Sequence, residues 1–390
     1  MRMLRFIRSV QLLAGGSEQP KDILISSRIE AIEESESLSL GHSAEVINGE
    51  ELIALPGFID SHVHITGGGG EGGFKTRTPE IMLTDLTRAG ITTVIGTLGT
   101  DGTTRTMSNL IAKCYGLREE GISAWCYTGN YHLPVRTTTG SVTDDIILID
   151  PIIGTGEIAL SDHRSSQPTR EALAALAAEA RVGGILSAKA GVVNVHMGDG
   201  PRMLDYLRWI ATETEIPKTQ FIPTHINRNQ ELLKDGITWA KEGGLIDFTT
   251  SSVPLFIEEG EEPAALALAH ALEAGVPAER VSFTSDGNGS LPQFNADGQL
   301  TGLSVGSPSS LYAAVREAVL SHKVPLAEAI KAITSTPAEN LKLSRKGKIA
   351  PGMDADLVLI RKDDLSIHSV IAGGEIMVNN GTPLITSTFE

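Results

Sequence analysis

The sequence predicts an α/β protein, a (β/α)8 TIM barrel with a small β-sandwich domain built from both chain ends. Three observations carry this prediction. Short apolar runs alternate with amphipathic helical segments through the middle of the 390-residue chain, as in parallel strands joined by helices. Both chain ends contain only short strand-like runs. Polar side chains concentrate where the apolar runs end, on the face that carries catalysis in such barrels.

The two chain ends provide the small domain. Each end contains three strand-like runs, and a turn at Gly15 and Gly16 separates the first two. The six runs are residues 4–13, 22–27, 28–33, 356–360, 366–372 and 375–378. Neither set can bury a sufficient core alone, so we expect one β-sandwich from residues 1–54 and 346–390. The barrel would then occupy residues 55–345.

The middle of the chain supplies eight strand–helix units. The predicted strands are the run that contains His62 and residues 92–98, 123–128, 158–160, 192–196, 221–226, 246–250 and 281–285. The predicted helices are residues 79–89, 108–120, 170–182, 203–214, 231–242, 264–274, 309–321 and 326–334. Residues 134–151 are expected to be irregular. The strands read as apolar runs, as buried parallel strands do.

Composition limits the class of function. The net charge of -16 and the pI of about 5.1 argue against binding to nucleic acid or to an anionic membrane. The two cysteines, Cys114 and Cys126, are too few for a disulfide framework and suit a reducing compartment. Arginines interrupt the first apolar run, unlike a signal peptide, and no run is long enough for a membrane helix. We therefore expect a cytoplasmic protein.

His62 and His64 are the first candidate metal ligands. They lie one pleat apart at the end of an apolar strand, so both side chains point to the same face. Two imidazoles placed in this way can bind one metal ion. The glycine run 67–70 follows and allows a ligand to approach the backbone. The alternative is two unrelated histidines, unless the rest of the chain supplies further ligands.

Three further strand ends offer ligands: His196, His225 and Asp286. Each alone could be a buried polar group satisfied by its neighbours. Together with His62 and His64 they make an imidazole and carboxylate set that suits zinc or a similar ion. Five ligands exceed one tetrahedral site, and two metals need a bridging group. The residues alone leave two candidates for the bridge, Glu157 and Lys189.

The chain resembles the amidohydrolase superfamily, in particular its β-aspartyl (isoaspartyl) dipeptidases, over nearly its whole length. The resemblance rests on Pro-Gly-Phe-Ile-Asp-Ser-His-Val-His at 56–64, Gly-Gly-Gly-Gly-Glu at 67–71, Thr-Pro-Glu at 78–80, Leu-Gly-Thr-Asp at 98–101, Ser-Asp-His-Arg at 161–164, His-Met-Gly-Asp at 196–199, Thr-His-Ile-Asn-Arg-Asn at 224–229, Ser-Asp-Gly-Asn-Gly-Ser at 285–290 and the segment 347–359. The first motif indicates only the superfamily. The glycine-rich loop with its glutamate and the last two site motifs are similar to the dipeptidase subgroup.

The resemblance implies two Zn2+ ions per subunit. His62 and His64 would bind one zinc together with Asp286, and His196 and His225 would bind the second. In most relatives a carboxylated lysine bridges the metals. At that position this chain has Glu157, and we expect its carboxylate to bridge, with backbone or metal shifted inward. The alternative is a surface or salt-bridged glutamate and a weakened metal site.

Lys189 is set aside as the bridge, because it precedes its strand and should lie on the opposite face of the barrel. The implied mechanism is attack of a zinc-bridging hydroxide on the amide carbonyl. Asp286 acts as general base and then as general acid for the leaving amine. Tyr131 lies past a strand end, where its hydroxyl can stabilise the oxyanion; the alternative is a core aromatic.

The resemblance also implies the substrate-binding residues. Glu71 suits the free ammonium of an isoaspartyl dipeptide, and Arg164 and Arg228 suit its carboxylates. The pocket would be completed by Gly69, Thr100, Tyr131 and Ser290. The glutamate-rich segment 254–263 is a candidate cover for the site.

The sequence therefore predicts a metal-dependent hydrolase of β-aspartyl dipeptides. One alternative is a related amidohydrolase that acts on cyclic amides or N-acyl amino acids, as dihydroorotases, hydantoinases and deacylases do. Another is a metal-free scaffold homologue, although all the ligands are present. The expected partners are a small dipeptide substrate and further copies of the chain, since the resemblance implies a homo-oligomer such as an octamer, with no nucleic acid and no membrane.

Overall fold

A computed structural model describes residues 4–13, 19–35, 44–294 and 299–390. The turn predicted at Gly15 and Gly16 and the histidine at position 42 lie outside the described residues. Five strands precede the barrel: β1 (Arg5–Leu12), β2 (Lys21–Ile25), β3 (Ile29–Glu34), β4 (Glu45–Asn48) and β5 (Leu52–Pro56). Of these, β4 and β5 were not predicted, because they are short and follow polar or charged residues.

Eight parallel strands form the barrel-like unit. They are β6 (Phe58–Val63), β7 (Ile91–Gly96), β8 (Ser123–Thr128), β9 (Ile152–Leu160), β10 (Val192–Met197), β11 (Phe221–Thr224), β12 (Ile246–Thr249) and β13 (Val281–Thr284). The first six make one curled sheet in chain order, and β12 pairs with β13. A parallel bridge between Val63 and Gly287 joins the end of β13 to β6. The curled parallel sheet that the predicted (β/α)8 barrel requires is therefore present in β6 to β11, whereas closure of all eight strands into one barrel stays a prediction.

Helices connect these strands. They are α1 (Leu83–Thr87), α2 (Met107–Glu119), α3 (Val142–Leu148), α4 (Arg170–Ser187), α5 (Asp205–Glu213), α6 (Gln230–Lys241), α7 (Pro254–Glu258), α8 (Ala264–Glu273), α9 (Ser310–Leu320), α10 (Leu326–Ala329) and α11 (Ser335–Asn340). Short 3-10 turns lie at Phe74–Thr76, Lys218–Gln220, Ile226–Arg228, Ala278–Arg280 and Ile330–Ile333. Polar N-caps start α2, α3, α4 and α6, as where Asn229 accepts from the amide of Leu232 at 2.9 Å. In the described ranges, no helix combines the length and the apolar character needed to span a bilayer.

Six more strands follow β13. They are the hairpin β14 (Ser290–Phe294) and β15 (Leu300–Val305), and β16 (Leu357–Arg361), β17 (Ile367–Ala372), β18 (Glu375–Asn379) and β19 (Thr382–Pro383). The last four join β1 to β5 in one nine-stranded sheet, where β5 pairs antiparallel with β16. Ile7, Ile23, Leu357 and Ile371 are buried in its apolar core. Both chain ends thus share a sheet, whereas its assignment as a sandwich with fixed boundaries stays a prediction.

Several predicted elements have different bounds in the structure. The segment 134–151 was predicted to be irregular but contains α3, whose start is capped by Ser141. The predicted strand 158–160 is the end of a longer strand, β9. The earlier part of β9 was not predicted, because its glycines and its glutamate interrupt the apolar pattern. The predicted helix 79–89 is helical only in α1, because the chain before it pairs with the glycine loop. The hairpin β14–β15 was not predicted.

Candidate active site

The five predicted histidine and aspartate ligands and Glu157 converge at the carboxyl ends of the barrel strands. His62 lies in β6, His196 in β10 and Glu157 in β9, while His225 follows β11 and Asp286 follows β13. All of them are at most 9% exposed. Because parallel strands deliver their carboxyl ends to one face, residues far apart in the chain meet there.

The carboxylate of Glu157 lies at the centre of the histidines. Its Oε2 is 3.2 Å from His62 Nε2, 3.2 Å from His196 Nδ1 and 3.8 Å from His225 Nε2. Its Oε1 is 3.4 Å from His64 Nε2. Both oxygens therefore face imidazole nitrogens, as the position of a bridging carboxylate requires.

Asp286 lies on the side of the cluster that holds the first histidine pair. Its Oδ1 is 3.1 Å from His64 Nε2 and 3.7 Å from His62 Nε2. Both Asp286 and His225 have a positive φ, 51° and 63°, which turns their side chains sharply at the strand ends. Backbone conformations of this kind are sparsely populated and concentrate at functional sites.

The residues of this cluster fit a bound metal. Five buried atoms of the cluster lack a hydrogen-bond partner within the described part of the chain, namely His62 Nε2, His64 Nδ1, Glu157 Oε1, His225 Nε2 and Asp286 Oδ1. Two sets of three residues place one ligand atom each within 4.8 Å of the others: His62, His64 and Asp286, and His62, Glu157 and His225. Buried polar atoms are normally satisfied, so these atoms are suited to coordinate a shared ligand. Imidazole nitrogen and carboxylate oxygen are donors for zinc and similar ions.

A local irregularity of β9 directs Glu157 into the cluster. The pairing of β9 with β10 shifts by one residue between Thr155 and Ile158, and bulges of this kind re-aim side chains near active sites. Gly156 has a φ of 150°, and a Cβ there would lie 2.7 Å from the carbonyl oxygen of Asn194. Only glycine fits this close approach, so Gly156 allows the next residue to turn inward.

Three residues without a predicted role orient the histidines. Asn194 Oδ1 is 3.1 Å from His62 Nδ1, and Thr249 Oγ1 is 2.5 Å from His225 Nδ1. Asp162 Oδ2 is 3.1 Å from His196 Nε2. Such contacts fix ring orientation in metal sites. Asn194 could have been found in the sequence, because it lies two residues before His196 and therefore on the same face of the strand.

The electrostatics of the cluster favour bound cations. Burial alone would raise the pKa of Glu157, but the surrounding histidines, first of all His62, hold this pKa well below its usual range. Burial likewise opposes the charge on His62, yet Glu157 and Asp286 raise the pKa of His62 to about 10. Burial and the neighbouring His196 lower the pKa of His225 to about 3. The buried carboxylates thus remain ionised and attract positive charge.

A cavity of about 430 Å³ opens onto this cluster. His64, His196, His225 and Asp286 contribute to its wall. All the predicted substrate residues also line it: Gly69, Glu71, Thr100, Tyr131, Arg164, Arg228 and Ser290. Their roles stay predictions, but a single cavity contains every group that was expected to contact the substrate.

The contacts of these lining residues are specific. Tyr131 places its hydroxyl 3.0 Å from His196 Nδ1, at the edge of the cluster rather than in the apolar core. Arg164 donates to Asp162 through Nε and Nη2 at 3.0 and 2.8 Å, and its Nη1 is 3.6 Å from Glu71. Ser290 donates to Glu71 at 2.9 Å. A carboxylate and a guanidinium are therefore held together in the same wall.

The glutamate-rich segment 254–263 also reaches the cavity. Phe256, Glu259 and Glu261 contribute to its wall, and α7 lies where a loop was expected. Burial raises the pKa of Glu261, while Arg228 opposes this shift. The segment thus borders the site next to Arg228.

Two groups of residues stand outside the site, as predicted. Lys189 donates from Nζ to the carbonyls of Ile146 and Ile149, each at 2.7 Å, at the end of α3. It therefore supports a helix terminus and does not contact the ligand cluster. Cys114 and Cys126 are buried and free.

Solved structures of known proteins are similar to this chain over nearly its whole length. The β-aspartyl dipeptidase of the thermophilic, keratin-degrading Fervidobacterium islandicum AW-1, solved in complex with the dipeptide β-Asp-Leu, is 44% identical and has a TM-score of 0.92. A second structure of the β-aspartyl dipeptidase from that organism is 42% identical, with a TM-score of 0.88. Each match covers 98% of this chain and 98% of the other chain.

More distant structures share the fold. The dihydropyrimidinase of Brevibacillus agri NCHU1002 is 16% identical over 99% of this chain and 97% of that chain, with a TM-score of 0.67. The family model described as the amidohydrolase family matches residues 53–377, which include every ligand of the cluster. This chain therefore belongs to the amidohydrolase family.

Proposed function

We propose that this chain is a binuclear zinc dipeptidase that hydrolyses β-aspartyl dipeptides. The observation that carries the proposal is that one cavity joins the imidazole and carboxylate cluster to Glu71 and Arg164. These groups are complementary to the amide, the ammonium and a carboxylate of an isoaspartyl dipeptide. The similarity over nearly the whole chain to a β-aspartyl dipeptidase solved with β-Asp-Leu supports this choice.

The proposed metal ligands form two sets that share one bridge. His62, His64 and Asp286 would hold one Zn2+, and His196 and His225 would hold the other. Glu157, in place of a carboxylated lysine, would bridge them, since its carboxylate lies beside His62 and His64 of the first set and beside His196 of the second. Zinc held there would lower the pKa of a bound water and polarise the amide carbonyl.

The chain's own residues complete the reaction. Asp286 accepts the proton of the attacking water and later donates it to the leaving amine, the sequence expected of one carboxylate that acts first as base and then as acid. The Tyr131 hydroxyl donates a hydrogen bond to the developing oxyanion. Burial raises the pKa of Tyr131 well above its usual value, so the phenol remains a donor throughout the working pH range.

Substrate binding divides between two groups of residues. Glu71, held by Ser290, would take the free ammonium of the isoaspartyl residue, with Gly69 and Thr100 beside it in the wall. Arg164 would pair with the carboxylate of that residue. Arg228 would pair with the carboxylate of the leaving amino acid, because guanidinium groups bind carboxylates in a bidentate manner.

The test combines metal analysis with substrate choice. The purified protein is assayed for zinc, cobalt and manganese per chain, and for hydrolysis of β-Asp-Leu and α-Asp-Leu. We expect two zinc ions and preferential hydrolysis of the β-linked dipeptide. A protein free of metal, or one that hydrolyses dihydrouracil or N-acetyl-leucine faster than β-Asp-Leu, would overturn the proposal.

The proposal extends to the whole molecule. We assign residues 55–345 to the catalytic barrel and residues 1–54 and 346–390 to a β-sandwich that supports it, on the basis of the sheet that both chain ends share. We also propose a cytoplasmic homo-oligomer. Light scattering of the purified protein tests the assembly, and a single monomeric mass would refute it.

A further inference from the structure

Arg105 is a buried cation in the wall of the cavity. It is 7% exposed and lies just before α2. Its guanidinium donates to the backbone carbonyls of Thr66, Gly68 and Thr78, the last two at 2.9 and 2.8 Å. Burial, with a smaller effect from Arg77, lowers the pKa of Arg105. None of the ion pairs among the described residues includes it, and its Nε has no hydrogen-bond partner there.

The three carbonyls belong to the two legs of the glycine-rich loop. Thr66 and Gly68 lie on the segment that leaves the barrel after β6, and Thr78 lies on the segment that returns. The legs also pair directly, because the amide of Thr78 donates to Gly68 at 3.0 Å and the amide of Gly68 contacts Thr78 Oγ1 at 2.6 Å. The hydroxyl of Thr78 donates to the carbonyl of Asn288 at 2.7 Å. Arg105 thus joins both legs close to the segment that carries Asp286.

This loop needs an external restraint. Gly67, Gly69 and Gly70 have φ values of 78°, 76° and 109°, and glycine backbone loses the most conformational freedom when it is ordered. A Cβ at Gly67 would lie 2.9 Å from Arg105 Nη1 and 2.4 Å from the carbonyl oxygen of Thr78. The guanidinium therefore occupies the space that a side chain would fill.

The restrained loop carries Glu71. The Glu71 side chain is 9% exposed, accepts from Ser290 and lies 3.6 Å from Arg164. Its placement depends on the backbone of the preceding glycines as well as on the contacts with Ser290 and Arg164. A shift of the loop would move this carboxylate relative to the cluster.

We propose that Arg105 is a positioning residue that sets the enzyme's requirement for a free α-ammonium by fixing the loop that carries Glu71. The inference rests on the proposed function, in which Glu71 binds that ammonium. An arginine is required because its planar fork reaches three carbonyls at once, whereas a lysine presents its donors from one point.

The test compares β-Asp-Leu with N-succinyl-leucine, which has the same amide and the same leaving group but lacks the ammonium. Wild type, Arg105→Met and Arg105→Lys are assayed for kcat, KM and metal content, with Ki replacing KM where turnover of N-succinyl-leucine is too slow. We expect Arg105→Met to raise KM for β-Asp-Leu roughly ten- to hundredfold, with metal content unchanged and N-succinyl-leucine little affected. Arg105→Lys should recover part of the preference for the ammonium. Arg88→Ala, at an exposed position, is the control for removal of an arginine.

Two further variants separate the possible outcomes. In a Glu71→Gln background, Arg105→Met should have no additional effect on the preference between the two substrates. Thr78→Val, which removes the link between Gly68 and Asn288, should change the preference in the same direction and replaces Arg105→Met if that variant does not fold. An unchanged preference, or equal losses on both substrates, would overturn the role of Arg105. A wild-type protein inactive on β-Asp-Leu would instead overturn the proposed function.

Discussion

Two groups of polar residues inside the barrel are similarly buried but differ in hydrogen bonding: one group is satisfied by other protein groups, and the other contains atoms without a partner. The inner layer, Asp60 and Asp247, lies nearer the amino ends of the strands. Asp247 accepts from the hydroxyls of Thr224, Ser282 and Thr284, each at 2.6 Å. The ligand layer, which consists of His62, His64, Glu157, His196, His225 and Asp286, contains five buried atoms that lack a partner among the described residues.

The difference shows which layer has its hydrogen bonds supplied by protein groups alone. Asp60 is satisfied by the amide and hydroxyl of Ser285. Burial raises the pKa of Asp60 to about 7 and that of Asp247 to about 6. The hydrogen bonds from neutral hydroxyls therefore offset only part of the cost of removing these carboxylates from water. In the ligand layer the desolvation of Glu157 is opposed by charges. We infer that the inner layer holds the strands in register, whereas the ligand layer is completed by metal.

The largest expected effect comes from removing the centre of the ligand layer. Glu157→Ala should lose most bound metal and essentially all activity, because among the described residues Glu157 is the carboxylate that lies beside histidines of both ligand sets. Metal content by mass spectrometry and hydrolysis of β-Asp-Leu are the measurements. Glu157→Gln preserves the shape but not the charge and should also lose metal.

The same position distinguishes a glutamate bridge from a carboxylated lysine. Reactivation of metal-free wild-type enzyme by zinc should not depend on added bicarbonate, because the Glu157 carboxylate needs no modification. Strong stimulation by bicarbonate, or full metal content and activity in Glu157→Ala, would contradict the bridge.

The next effect concerns proton transfer. Asp286→Asn should lower kcat by about 10²- to 10⁴-fold, the usual contribution of a general base, with a smaller change in KM. Asp101→Asn is the matched control, because Asp101 lines the same cavity but bonds locally to Thr103 and Thr104. A loss in Asp286→Asn no larger than in Asp101→Asn would remove Asp286 from the proposed chemistry.

Alternation along strands accounts for the part of this site that the sequence could predict. His62 and His64 share a face by their spacing, and Asp286 ends a run of apolar residues. The residues alone left Glu157 and Lys189 as candidates for the bridge, and the resemblance identified Glu157, because Gly154 and Gly156 hide the strand that carries it. A strand interrupted in this way has no readable period.

The residues that were missed act through tertiary contacts. Arg105 precedes a helix and would be taken for a solvated charge, since its three carbonyl partners lie 27 to 39 positions away. Asp162 lies in the Ser-Asp-His-Arg motif at 161–164, but its contact with His196 depends on the path of the chain at the ends of β9 and β10. Thr249 contacts His225 from another strand. Sequence periodicity describes one element at a time and does not predict such contacts.

A third variant tests the inner layer. Asp247→Ala should leave three buried hydroxyls without their acceptor and lower the free energy of unfolding by about 3 kcal/mol. Asp247→Asn retains one acceptor oxygen and should cost less. Denaturant unfolding of the metal-loaded protein measures both variants against Asp363→Ala, an exposed control. Equal stability of Asp247→Ala and the control would contradict a structural role for this layer.

The smallest expected effect extends the comparison to the cavity wall. Arg228 Nε is buried and has no hydrogen-bond partner among the described residues, although Asp199 Oδ1 lies 4.0 Å away. If such atoms mark ligand contacts, Arg228 binds the carboxylate of the leaving amino acid. Arg228→Lys should then raise KM for β-Asp-Leu about tenfold, because lysine cannot form the bidentate pair. It should change KM for β-Asp-leucinamide, which lacks that carboxylate, far less. An equal change on both substrates would mean that the unpartnered nitrogen reflects packing of the wall, and the rule drawn from the ligand layer would then hold only for the metal site.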